Sequence, residues 1–177
     1  MAIPTILQPC HGPKEMKEFN SIGAFAEHIL KTAIAEEVAI RVGLSKSIEA
    51  VKKEAKSEFG TYQEAAGPFA AWADLAESTK EDRVRKGYSE DEPLLRTGEI
   101  RDSIETTVSS TSLEAQCGSD SDILLYQELG TQHTPPRSTL GIAMAKKLPM
   151  IKEILGASVV TGLVGEDVFQ RFLPIEE

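Results

Sequence analysis

Ile104-Glu105-Thr106-Thr107-Val108-Ser109-Ser110-Thr111-Ser112-Leu113-Glu114-Ala115-Gln116-Cys117 decides the fold class. Ile104, Thr106 and Val108 fall on one side of an extended chain, and Leu113, Ala115 and Cys117 alternate likewise after Thr111-Ser112. Side chains of a strand point to opposite faces in turn, so this pattern predicts an antiparallel hairpin. Apolar residues at helical spacing recur on both sides of it. The chain is therefore expected to be α+β, with N-terminal helices, a small antiparallel sheet and a long C-terminal helix.

Working outward toward the N-terminus, Leu94 and Leu95 return to the core after an acidic run, Tyr88 to Pro93, that reads as a solvated loop. A turn or short helix follows at Thr97 to Ser103. Ser78 and Glu81 have capping-box spacing, predicting a helix from Thr79 to Lys86 stopped by Gly87. Thr61 and Glu64 repeat that spacing, and Pro68 suits the first turn of a further helical segment through Phe69, Trp72 and Leu75. A helix over 45–59 turns Ile48, Val51, Ala55 and Phe59 inward, and Gly60 stops it. A separate helix over 21–42 is expected to start at Ser21 and end at Gly43, with Ile22, Phe25, Ala26, Ile29, Leu30, Ala33 and Ile34 as its apolar face.

Toward the C-terminus, Ile123 to Leu129 reads as a short helix ended by Gly130, in preference to a strand. Residues 131–138 form a polar loop with two prolines. Thr139 to about Leu155 is expected to be a helix with Leu140, Ala143, Met144, Leu148 and Ile151 facing in. Pro149 is a point of kinking, and Gly156 either ends the helix or is tolerated within it. The organisation is an arm over 1–20, one α+β domain over 21–163 and a tail over 164–177.

The 177 residues suffice for one domain with a real core, and aromatics at 6% leave that core to Ala, Leu, Ile and Val. A formal net charge of −9 argues against general nucleic-acid binding, which needs phosphates neutralised by Lys and Arg. Arg83, Arg85 and Lys86 make a local basic patch. No apolar run approaches the ~18 residues of a membrane span. The first residues lack a signal-peptide pattern, and Cys10 and Cys117 suit a reducing compartment.

No motif for catalysis emerges. The three histidines, His11, His28 and His133, form no HExxH or other ligand spacing, and there is no paired CxxC, GxSxG, P-loop or GxGxxG. Joining Cys10-His11 to Cys117 or His133 in a metal site needs a fold that brings them together. An acid–base pair cannot be singled out among 28 carboxylates. Trp72 reads as a core or interface anchor. Arg96 and Arg101 pair either with Glu99, Asp102 or Glu105, or across a subunit boundary. In the Gly130 to Arg137 loop the prolines stiffen the chain, which suits an assembly contact as well as an ordinary connection.

Three blocks carry a resemblance: Trp72-x-x-Leu75-x-x-x-Thr79, Leu94-Leu95-Arg96-Thr97-Gly98-x-Ile100-Arg101-x-Ser103-Ile104, and Tyr126-x-Glu128-Leu129-Gly130-Thr131 followed by Pro135-Pro136-Arg137. Over roughly residues 59–147 the chain resembles the tail-completion and head–tail joining proteins of tailed phages and prophages, the phage Mu virion-morphogenesis type in particular. Where the family often has Pro-Phe after the arginine, Ser138-Thr139 stand here. The resemblance implies a structural virion protein, made in the host cytoplasm and placed at the neck or tail end. It would act in a homo-oligomeric ring and touch other neck or tail proteins, without catalysis, cofactor, membrane or specific nucleic acid. The three blocks and the tail aromatics Phe169 and Phe172 are then candidate interface, with 1–13 and 164–177 as intersubunit arms. The alternatives are a non-virion binding module and a hydrolase without a recognisable motif, the latter calling for activity lost on substituting Cys117 or His133.

Overall fold

The computed structural model describes residues 18–164. The expected arm over 1–13 and the tail positions Phe169 and Phe172 lie outside them, as do Cys10 and His11. The fold is α+β: helices dominate, with a single two-stranded sheet among the described residues.

Helix α1 runs over Ile22–Ser57 without interruption. Ser21 caps it as expected, its Oγ accepting from Ala24 N at 3.1 Å. The expected division at Gly43 is wrong, because this glycine serves packing, not termination. It is buried against helix α5 (Leu140–Val164), and a Cβ there would fall 2.2 Å from Ser158 Oγ. Gly162 allows a second close approach, since its Cβ would fall 2.3 Å from Glu36 Cα. The paired numbers run in opposite directions, so α1 and α5 are antiparallel.

The apolar face expected for residues 21–42 is present but uncovered. Ile22 is 88% exposed, and Phe25, Ile29, Leu30 and Ile34 are exposed as well. The second half of α1 behaves as expected: Val51, Ala55 and Phe59 are buried and Ile48 is half-buried. α5 continues through Pro149 and Gly156, both exposed. Ala143 and Ile151 face in, but Met144 and Leu148, expected inside, are exposed. The face toward α1 runs instead through Ala143, Ile151, Ile154 and Ser158, which leaves Met144 and Leu148 turned aside.

No helix forms between α1 and Glu77. The expected capped turn at Thr61 and the segment opened by Pro68 are replaced by a tight reversal. Ala66 and Phe69 exchange backbone hydrogen bonds of 3.1 Å each, and Trp72 N donates to Gln63 O at 2.9 Å. Gly67, with φ +57°, is the residue that permits it. Helix α2 (Glu77–Arg85) starts two residues earlier than Ser78 would cap it, with no side-chain cap, and Gly87 follows its end. Helix α3 (Glu99–Asp102), strands β1 (Glu105–Val108) and β2 (Ala115–Gly118), and helix α4 (Asp122–Leu129) lie where the pattern puts them. β1 and β2 pair antiparallel with Thr106 opposite Cys117.

Val51, Ala55, Phe59, Ile104, Leu124, Ala143 and Ile151 form one core. The hairpin and α4 are thus gathered on the second half of α1 and the first half of α5. Arg41 Nη1 ties the hairpin turn to α1 through Ser109 O at 2.6 Å, and Thr106 Oγ1 bonds Glu49. The rest of α1 projects beyond this head.

Candidate functional site

The first and third sequence blocks are more than 40 residues apart, yet the fold joins them through buried polar contacts. Trp72 is 5% exposed and donates its indole N–H to Ser138 O at 3.1 Å. Arg137 is equally buried and donates from Nε and Nη2 to Ala73 O, and from Nη2 to Asp74 O. Trp72 is therefore a core anchor and no longer free for a partner. Arg137 likewise acts inside the chain, stapling the first block to the third.

Glu128 has a third internal role. Its carboxylate accepts from Thr139 N at 2.7 Å, Leu140 N at 3.1 Å, Gly141 N at 2.9 Å and Ser138 Oγ at 2.5 Å. The free N–H groups of a helix's first turn attract an anion, so Glu128 both caps α5 and locks the 130–138 loop above it. Ser138-Thr139 supply the hydroxyl and amide that this cap uses. Gly130, φ +76°, has no alternative residue: a Cβ would fall 2.9 Å from Pro136 N. Thr131 closes the loop tip, its N donating to Thr134 O and its Oγ1 accepting from His133 N and Thr134 N.

The middle block is held from α2. Arg96 Nη2 reaches Asp82 Oδ2 at 3.2 Å, and its guanidinium lies 5.7 Å from the Tyr88 ring centre. Asp82 was not among its expected partners because it lies on another helix. Lys86, then Arg85 and Arg96, hold the Asp82 carboxyl down to about 2. Arg101 pairs with Asp102, one of the foreseen partners, at 2.9 Å. Gly98 precedes α3 with φ +88°, and Thr97 Oγ1 accepts from Glu99 N.

Arg83 was read as part of a basic surface patch, but it is only 3% exposed. Its Nε donates to Ser89 O at 2.7 Å and its Nη2 to Leu95 O at 2.6 Å. It clamps both ends of the acidic loop. Asp91 of that loop accepts from Tyr62 OH at 2.5 Å. Only the three-dimensional arrangement separates Arg83 from its exposed neighbours.

Between the blocks lies a cleft of about 490 Å³, bordered by Leu75 and Thr79, by Arg96 to Ile100, and by His133 to Arg137. Three of its side chains, Arg83, Arg96 and Arg137, are cationic, against the single carboxylate Asp74. Its lining holds no Ser or Cys, and the His133 imidazole has no hydrogen-bond partner among the described residues. Nor do three or more His, Cys, Asp or Glu residues gather as a metal site among the described residues. No described helix is long and apolar enough to cross a membrane.

Beside the cleft, α4 shows apolar side chains to solvent. Ile123, Leu125 and Tyr126 are each more than half exposed, and Leu129 is 72% exposed. Thr131, Pro135 and Pro136 stand exposed on the adjoining loop. A contiguous apolar surface on a stiff frame suits a protein partner. Compared with known proteins, the chain matches no family model, no curated protein and no solved structure.

Proposed function

We propose that the protein is a structural component of a tailed phage or prophage particle, completing the tail or joining it to the head as a ring of identical subunits. The sequence blocks that resemble the tail-completion and joining proteins are the starting point. One structural observation supports the reading most: those blocks build a pre-stiffened frame that presents apolar side chains of α4 and of the proline loop to solvent. Trp72, Glu128 and Arg137 fix the frame. α4 and the proline loop present Tyr126, Leu129, Pro135 and Pro136 outward. A surface already rigid before contact loses little entropy on assembly, as a repeated ring contact requires.

The test is deletion of the gene in its phage or prophage setting, with electron microscopy of the lysate. Filled heads separated from tails, or tails of abnormal length, are the expected outcome. Intact, infectious particles would overturn the proposal.

A further inference from the structure

Charge pairing in this chain runs against burial. Arg41, Arg85, Arg96 and Arg101 all keep some contact with water, and each pairs with a carboxylate. Arg83 and Arg137, only 3% and 5% exposed, pair with none among the described residues. Their hydrogen bonds end on backbone carbonyls: Ser89 and Leu95 for Arg83, Ala73 and Asp74 for Arg137. Carbonyls satisfy N–H groups but bring no negative charge, and a buried charge costs most where water is excluded. Burial lowers the Arg137 pKa, yet a guanidinium stays protonated near neutral pH.

Both side chains border the cleft between the three blocks. In each, Nη1 makes no hydrogen bond among the described residues, so a ligand there breaks no contact of the frame. The same lining holds Gln127, whose Oε1 is buried without a hydrogen-bond partner. Leu75, Leu94, Ile100, Ile123 and Pro135 supply apolar wall. The cleft thus offers donors to an anion, an acceptor to an N–H group and apolar surface around them. Inorganic phosphate answers the first alone, and the exposed Asp74 at the rim disfavours a multiply charged ion. A peptide segment carrying one carboxylate answers all three. The volume of about 490 Å³ also suits several side chains better than a lone ion.

We propose that this cleft binds a carboxylate-bearing segment of a partner protein, with the carboxylate against Arg83 and Arg137 and a peptide N–H on Gln127 Oε1. An acidic side chain and a chain terminus present the same group to a guanidinium. The site is distinct from the outward face of α4, and the inference does not depend on the virion reading.

Calorimetric titration of the full chain tests it with three peptides of one length. Acetyl-Leu-Glu-Leu-amide carries a side-chain carboxylate, acetyl-Leu-Gln-Leu with a free C-terminus carries a terminal one, and acetyl-Leu-Gln-Leu-amide carries neither. At least one carboxylate peptide is expected to bind about tenfold or more tighter than the neutral one, and the tighter of the two names the source. Gln127→Glu, which brings a carboxylate into the cleft from within, is expected to weaken that peptide by a similar factor. Gln127→Ala, which removes only the amide, guards against misfolding of the first variant and is expected to weaken it by about threefold. Circular dichroism of both variants checks the fold. Equal affinity for charged and neutral peptides, binding by none, or unchanged binding in both variants would overturn the proposal. So would phosphate binding as tightly as the better peptide, which would make the cleft a general anion site.

Discussion

Glu58 is 1% exposed, and only one of its carboxylate oxygens has a partner, Lys146 Nζ at 3.0 Å. Burial raises its pKa from 4.5 to about 7, against the pull of Lys146. Lys146 keeps its own charge: burial works against the ammonium, but Glu58 and Glu54 outweigh it. The folded state therefore takes up a proton between about pH 7 and 4.5 that the unfolded chain does not. Stability should rise as pH falls through that window, by up to roughly 3 kcal/mol. Glu58→Gln should flatten this dependence and raise stability at pH 8, because Lys146 retains Glu54 and Gln63. Urea melts across pH 4.5–8 read both effects, and an unchanged slope in the variant would refute the assignment. The Glu128 carboxylate satisfies three backbone donors at once. Glu128→Ala should cost about 2 kcal/mol, more than a surface substitution, in the same melts.

At the scale of elements, the contact between α1 and α5 explains why glycine sits inside a 36-residue helix. An alanine at 43 would favour the helix by about 1 kcal/mol in isolation. Here its methyl would meet Ser158 Oγ at 2.2 Å and Ser158 Cβ at 3.1 Å. Gly43→Ala is thus expected to destabilise by about 1–3 kcal/mol. Adding Ser158→Ala should recover part of the loss, since it removes the nearer atom. A double-mutant cycle measures the coupling, and strict additivity would show that the helices are not in contact at this point. Leu94 is strained in its own way: it adopts φ +61° without being glycine, beside a cleft whose walls are otherwise set by hydrogen bonds.

For the whole molecule, the separation between a packed head and an exposed apolar surface defines the functional prediction. Tyr126 and Leu129 lie on α4 away from its buried Leu124. Tyr126→Asp combined with Leu129→Asp should leave the circular dichroism spectrum unchanged and stability within about 0.5 kcal/mol per site. The same pair should abolish ring formation in size-exclusion light scattering and fail to rescue the gene deletion. Full rescue would direct the search to another surface.

Local signals in the sequence were sufficient for the hairpin, for α4 and its stop at Gly130, for the Ser21 cap and for the end of α2 at Gly87. Each depends on a residue and its near neighbours: alternation across a strand, a hydroxyl at a helix start, a glycine with positive φ. The same signals misplaced the helix end at Gly43, the segment after Pro68 and the inward role of Met144 and Leu148. There the deciding partner is remote. Gly43 needs Ser158 to explain it, Gly67-Pro68 turn the chain so that Trp72 can reach Ser138, and the inner face of α5 is chosen by its contact with α1. The family resemblance put Trp72, Glu128 and Arg137 among the candidate interface residues, whereas their contacts lie within the chain. Tertiary structure alone decided that they brace its frame while α4 and the proline loop form its outer surface, because periodicity records that a face is apolar and only packing determines what covers it.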